Sequence, residues 1–277
     1  MAEIESRKRG RPRSFHPNTD TTIVQSVDKA LSLLKVVSQG GGRSLSELSE
    51  ISGLPAASAY RALVTMQKHG MVSFDEDGQL WRIDVEAFRI GSAFLSNTSM
   101  VEQARPVMTS LMNETGETAN LGIIAGSEVV FLSQVETHEP IRAFFSPGTH
   151  GSIHASGIGK ALFAFRPEKS AEQLANTIVL ERFTDHSIIS AEELMKMRLD
   201  TLQRGYAIDD QERTMGMRCI AAPIFNSFGE AASAISVSGP TVRIDSQRIE
   251  QYGRLVRVAA DQITRNIGGK ISSFVER

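Results

Sequence analysis

The sequence predicts an α+β protein: a small helical unit closed by a hairpin, then a larger antiparallel sheet with helices packed against it. Three observations predict this. Two stretches with apolar residues at helical spacing are joined at Gly53 and stopped at Gly70. Strand-like runs at 71–74 and 79–83 then flank Asp77 and Gly78, a hairpin signal. Beyond residue 117, further strand-like runs recur among helical-period segments.

With 277 residues, 41% hydrophobic and 22% charged, the chain suits two domains with real cores. A single cysteine, Cys219, excludes a disulfide framework. No run has the apolar length of a membrane span, and the polar, basic N-terminus does not read as a secretory leader. A cytoplasmic protein without a membrane partner is expected. Net charge is only −2, but Arg7, Lys8, Arg9, Arg11 and Arg13 crowd one end. That asymmetry points to a nucleic-acid-facing terminus.

Residues 1–22 have no periodicity and are expected to form a disordered basic arm. The slim segment around Arg9 and Arg11 suits a narrow minor groove or phosphates, the alternative being a solubilising tail. Residues 23–84 form the first domain. Val27, Ala30, Leu31, Leu34 and Val37 share one helical face, ended by glycines 40–42. Ser44 with Glu47 makes a capping box, and Leu45, Leu48 and Ile51 are expected inward. Gly53 closes this helix in a left-handed conformation, and Pro55 opens the next at its first position. In that helix Ala59, Ala62, Leu63 and Met66 make the buried face.

Two helices on a glycine turn, followed by a hairpin, make a winged helix-turn-helix. The fold binds DNA, although it also serves as a protein-binding module. The candidate DNA-facing residues are Arg9, Arg11, Ser44, Ala57, Ser58, Tyr60, Arg61, Thr65 and Lys68. Small residues admit the helix to the major groove, and Arg61 reaches guanine edges or phosphate.

Residues 85–98 are expected to be a linker helix, apolar at Phe88, Ile90, Ala93, Phe94 and Leu95, with a partner subunit as one surface to pack on. Residues 99–277 then form the sheet domain: a helix over Met100–Thr115, strands on either side of Gly126 and Ser127, and a strand at 141–146 before the turn at Pro147 and Gly148. Helices follow at 160–165, 170–176 and Ala191–Arg204, then three strands and a long helix over 245–267.

The stretch "HASGIGKALFAF" at 154–165 looks like half of a phosphate-binding loop. The nucleotide motif needs glycine where His154 stands and serine or threonine where Ala161 stands, so nucleotide hydrolysis is excluded. Cys219, His154 and Asp209 are the right types for a nucleophile, base and orienting acid, but their spacing fits no local signature. The enzyme alternative, a small-acid-processing activity fused to a DNA-binding module, rests on them. The six histidines are scattered and pair with nothing at ligand spacing, so neither metal nor cofactor is expected. His154 suits a capping or core-rim role, and Asp209 with Asp210 an exposed turn. Lys160 is left either beyond the pocket or in solvent. A small-anion pocket fits better: a glycine-rich loop entering a helix offers amide donors, and Ser236 and Ser238 lie on one side of a strand.

These motifs carry a resemblance. "VQSVDKALSLL", "LSELSEISGLPAASAYRALVTMQKHGMV", "PGTHGSIHASGIGKALFA", "GYAIDDQERTMGMRCIAAPIFN" and "SAISVSGPTVRI" together resemble the isocitrate lyase regulator (IclR) family of bacterial transcription factors, over residues 23–270. The resemblance implies a GAF-like effector domain and no enzyme activity. It implies a pocket of Gly157 and Ile158 as amide donors with Asp209, Cys219, Ser236 and Ser238, walled by Ala143, Phe145, Met217 and Ile235. Its effector would be a small carboxylate, glyoxylate first and a pyruvate-like acid second, with the bulk of Ile158 and Phe145 set to alter the preference. It also implies a homo-oligomer, a dimer of dimers, on a palindromic DNA operator, nucleoid-associated when bound. The arm falls outside the family pattern.

Overall fold

Residues 23–96 and 100–271 are described by the computed structural model, and the chain falls into two units that part between Phe94 and Leu95. The arm with Arg9 and Arg11 lies outside the described residues. The first unit holds α1 (Gln25–Ser38), α2 (Leu45–Ser52), α3 (Ala56–Lys68), β1 (Val72–Asp75), β2 (Leu80–Ile83) and most of α4 (Val85–Ser96).

α2 opens on the expected capping box. The Ser44 amide donates to Glu47 Oε2 at 2.8 Å, and the Glu47 amide donates to Ser44 Oγ at 3.4 Å. Gly53 ends α2 at φ 67°, a left-handed conformation that glycine adopts without steric cost. Pro55 differs from expectation: its ψ of 137° is extended, so it caps α3 from outside instead of forming its first residue. Leu33, Val37, Leu48, Leu63, Val72 and Trp81 build the core, with Ala59 and Met66.

Three further expectations are corrected. On α1 the buried face centres on Leu33 and Val37, while Val27 and Leu31 are exposed. The apolar stripe is wider than the face that α2 and α3 cover, so its flank stays in solvent. Ile51 is likewise exposed, because Leu48 alone of α2 is buried in the core. The hairpin turn occupies residues 76–79, and the left-handed residue is Gln79 at φ 52°, not Gly78. Asp75 Oδ1 accepts from the amides of Asp77 and Gly78 at 3.2 and 3.4 Å, which shapes this longer loop.

In the second unit, α5 (Met100–Thr115) leads into β3 (Thr118–Ala125) and β4 (Glu128–Val135). Then come β5 (His150–Ser152), α6 (Gly157–Ala164), α7 (Glu168–Thr177), α8 (Ala191–Arg204), β6 (Ala207–Asp210), β7 (Met217–Phe225), β8 (Ala231–Pro240) and α9 (Ile249–Asn266). The strands form one antiparallel sheet in the order β5-β4-β3-β8-β7-β6. Alternation sorts its side chains. Leu121, Ile220, Ile235 and Val237 pack with α5 and α9 on one face; Phe131, Ala207, Ala221 and Ala234 pack with α6 and α8 on the other.

The segment 141–146 is not a strand: the place beside β4 is taken by β5. α6 starts at Gly157, three residues before Lys160, because Ser156 caps it and its Oγ accepts from the Gly159 amide at 3.0 Å. α9 starts at Ile249, since Asp245 Oδ1 holds the amides of Gln247 and Arg248 in a turn before it.

Candidate functional site

The exposed face of α3 centres on Ala57, Arg61, Val64 and Lys68, opposite the buried Ala59, Leu63 and Met66. Tyr60 stands on one flank, edge-on to Trp81 of the hairpin with ring centroids 6.5 Å apart. Ser58 and Thr65 stand on the other flank, where with Arg61 they border a groove along Val27, Ala30, Leu31 and Leu34 of α1. Thr65 Oγ1 donates to the Arg61 carbonyl at 2.8 Å. Ser44 is committed to its capping box, so its hydroxyl serves α2 first. Val64, which sequence reasoning passed over, is an apolar residue at the centre of this exposed face; its helical spacing from Ala57, Arg61 and Lys68 was the available signal.

In the second unit a cavity of about 340 Å³ lies over the sheet at the start of α6. The register across β6, β7 and β8 pairs Asp209 with Cys219 and Cys219 with Ser238. Residues directly opposite share a face, so these three form one row beneath the cavity. Gly157 and Ile158 stand above the row as the first two residues of α6. A Cβ on Gly157 would lie 2.7 Å from Cys219 Sγ and 3.2 Å from Ala221 Cβ, so only glycine fits this approach. The Gly159 amide is used by Ser156, which leaves the Gly157 and Ile158 amides as the helix-end donors nearest the cavity. Ala143, Phe145 and Met217 wall it, with Phe145 stacked on Phe131 at 4.3 Å.

Two expected residues do not line the cavity. Ile235 is on the opposite face, in the α5 and α9 core, because it alternates with Ser236 and Ser238 along β8. Ser236 is on the right face but fully buried one pair deeper, opposite Ala221, with its hydroxyl beside the Cys219 thiol and in no hydrogen bond of ordinary geometry. Asn120, buried in β3, was missed: its Nδ2 donates to Ser238 Oγ at 3.3 Å and its Oδ1 accepts from Gln134 at 2.8 Å. A polar residue inside the run "TANLGII" was the signal. Arg142 and Arg213 also line the cavity and gave no sequence signal, being brought there from loops.

Family models match both units: "Bacterial transcriptional regulator IclR C-terminal" over residues 92–265 and "IclR helix-turn-helix domain" over 26–76. The chain belongs to the IclR family. The HTH-type transcriptional regulator BhcR of Paracoccus denitrificans is 44% identical over 94% of this chain and 95% of that protein. The transcriptional repressor IclR of Escherichia coli is 35% identical over 95% and 97%. The crystal structure of Thermotoga maritima IclR superposes with a TM-score of 0.74 at 26% identity, covering 89% of this chain and 100% of that one. This IclR-family chain is therefore a DNA-binding transcriptional regulator, and its relatives are regulators, not enzymes. No helix of the described residues is long and apolar enough to cross a membrane.

The geometry of this IclR-family domain also separates the residues of the enzyme alternative. Burial pushes the Cys219 thiol up to about 11, with Asp209 adding to the rise and the Ser238 and Ser236 hydroxyls and Gly157 amide opposing it. A nucleophilic thiol needs the reverse shift. His154 does not line the cavity; it is buried, its Nε2 is 2.9 Å from the Glu181 carbonyl, and its ring stacks on Phe183.

Of the two readings left open for Lys160, the structure removes solvent: Lys160 is 1% exposed, outside the cavity lining and ion-paired with Glu212. Asp209 and Asp210 end β6 instead of forming an exposed turn, and Asp209 is buried, its Oδ1 accepting from the Glu212 amide at 2.9 Å. Burial raises the Asp209 pKa, with Lys160 pulling it down. Burial likewise pushes Glu212 up to about 7 from 4.5, against the pull of Lys160 and with a further push from Asp209.

A carboxyl group whose folded pKa exceeds its unfolded one binds its proton more tightly when folded. Glu212 therefore contributes stability that is full below pH 4.5 and lost as the pH rises through about 7. Glu212→Gln should flatten the decline between those values in urea denaturation followed by circular dichroism; an unaltered slope would assign it to other groups.

Proposed function

We propose that this regulator senses a small oxo-acid carboxylate, glyoxylate first, in the cavity at the start of α6, and that the ligand sets operator binding. The observation that carries this is the convergence of the Gly157 and Ile158 amides with Ser238, Cys219 and Asp209 around one cavity of about 340 Å³. Helix-end amides and a hydroxyl suit a carboxylate and its neighbouring oxo group. Phe131, Phe145, Ile158 and Met217 supply the apolar wall. The volume leaves room for more than two carbons, so pyruvate is the necessary comparison.

Operator contact is proposed for Ala57, Ser58, Tyr60, Arg61, Thr65 and Lys68 on α3, with Arg9 and Arg11 of the arm on phosphates or the minor groove. A palindromic operator and a dimer of dimers complete the reading. What supports oligomerisation is apolar surface left open on α1 and α4: Val27, Leu31, Ile90 and Phe88, the last 72% exposed. The effector acts through its unequal affinity for two states of the assembly.

Ser238→Ala tests the cavity. Loss of a hydrogen bond to a charged ligand should weaken glyoxylate binding about tenfold or more in titration calorimetry, with operator affinity unchanged in the absence of ligand. Wild-type protein that binds pyruvate but not glyoxylate would replace the effector; a variant that binds either acid normally would move the site elsewhere.

A further inference from the structure

Arg198 of α8 is 8% exposed, yet its guanidinium meets no carboxylate among the described residues. Its one described hydrogen bond runs from Nη2 to the Arg166 carbonyl at 3.2 Å, and its Nε is buried without a partner. A guanidinium keeps its charge at every relevant pH and carries five donors in a planar fork. Arginines this deeply buried are paired almost without exception, because an uncompensated charge away from water is strongly unfavourable. Arg198 thus brings to the groove it lines a charge that no described carboxylate meets, and an anion bound there would compensate it.

The surroundings describe what that partner is. Arg198 lines a groove of about 830 Å³ that shares no residue with the cavity at the start of α6. The carbonyl it holds belongs to Arg166, next to Pro167, the residue before α7. No side chain caps α7, and the first of its amides with a described acceptor is Ala171, bonded to Pro167 at 2.9 Å. The Glu168 and Ser170 amides are thus helix-end donors on residues that line the same groove. Leu162, Phe165 and Phe225 give an apolar floor, while Glu168 and Glu230 share the lining with Arg166 and Arg198. The two glutamates repel an anion in proportion to its charge, which disfavours a phosphate dianion more than a monoanion.

We propose that this groove is a second ligand site of the effector domain and takes an amphipathic monocarboxylate. Its carboxylate is forked on Arg198 at the start of α7, and its apolar body lies over Leu162, Phe165 and Phe225. The site does not depend on the oxo-acid reading of the first cavity.

The test uses the full chain with octanoate, octan-1-ol and inorganic phosphate as probes, in calorimetry and thermal shift. Octanoate should bind and raise Tm, and the alcohol and phosphate at equal concentration should not. Arg198→Met should weaken octanoate by more than about tenfold, as expected for a lost charged hydrogen-bond pair. It should not lower Tm without ligand, since the variant removes an unpaired buried charge. Arg198→Lys, which keeps the charge and loses the fork, covers the case in which the methionine variant does not fold, and should also weaken octanoate. Ser238→Ala should leave octanoate binding intact. No octanoate binding to wild type, equal binding of the alcohol or phosphate, unchanged affinity in both Arg198 variants, or loss of binding in Ser238→Ala would each overturn the proposal.

Discussion

Lys160→Met is expected to destabilise the second unit by about 3–5 kcal/mol at pH 8, the cost of removing one partner from a buried ion pair. Lys160 is fully enclosed by the fold, and its only described ionic partner is Glu212, whose Oε2 is buried without a hydrogen bond. Without the lysine, Glu212 must either stay charged in a poor dielectric or take up a proton. The loss should therefore be smaller at pH 5, where Glu212, with its pKa at about 7, is already protonated. The double variant Lys160→Met, Glu212→Leu should recover part of the loss, because the Glu212 charge is gone while buried Asp209 still lacks the pull of Lys160. Trp81, the single tryptophan, belongs to the first unit, so its fluorescence reports that unit while circular dichroism of the full chain reports both. A Lys160→Met protein as stable as wild type at pH 8 would show that the pair contributes nothing. The pair also joins α6, which carries the two cavity amides, to the loop after β6, which carries Asp209, so the variant should weaken oxo-acid binding as well.

Arg61→Ala is the change expected to act most strongly on the operator. Arg61 sits at the centre of the exposed face of α3, on a helix whose opposite face is fixed by Ala59, Leu63 and Met66. A bidentate arginine contact to a base is worth about 1–3 kcal/mol, so affinity should fall by roughly ten- to a hundred-fold, with sequence preference relaxed at one position of each half-site. Stability and oxo-acid binding should not change, since the side chain is exposed. Fluorescence anisotropy on operator variants measures both quantities. Unchanged affinity with unchanged preference would remove Arg61 from the reading face. Lys68→Ala offers a contrast: removing a cation that faces a phosphate weakens all sequences alike and lowers the salt slope by about one.

Much of this was legible because it is local. The capping box at Ser44 and Glu47, the left-handed Gly53 and the extents of α5 and α8 follow from residues a few positions apart. The strand at 141–146 was misread for the opposite reason. Its residues have β propensity, but a strand exists only where a neighbour is free to pair, and β5 already holds that edge. The first helix shows a similar limit: its apolar spacing was visible, but which part of the stripe α2 and α3 would cover was not.

For the candidate site the same division holds. The sequence by itself determined that a glycine-rich loop enters a helix near residue 160, the exclusion of a nucleotide loop at His154 and Ala161, and the alternation that puts Ser236 and Ser238 on one face; that the helix opens at Gly157, with the Gly157 and Ile158 amides at its end, was decided by the fold. The same two-residue period keeps Ile235 off that face, although the resemblance had put it in the pocket wall. Only the tertiary structure decided that Asp209, Cys219 and Ser238 form a row, because register between strands depends on which strands meet and where. Only the tertiary structure buried Lys160 against Glu212, brought Asn120 to Ser238 across 118 residues, and set Arg198 apart from any described acid. These are long-range contacts. A side chain's type and spacing limit what it can do, but its burial and partners are set by elements far away in the chain.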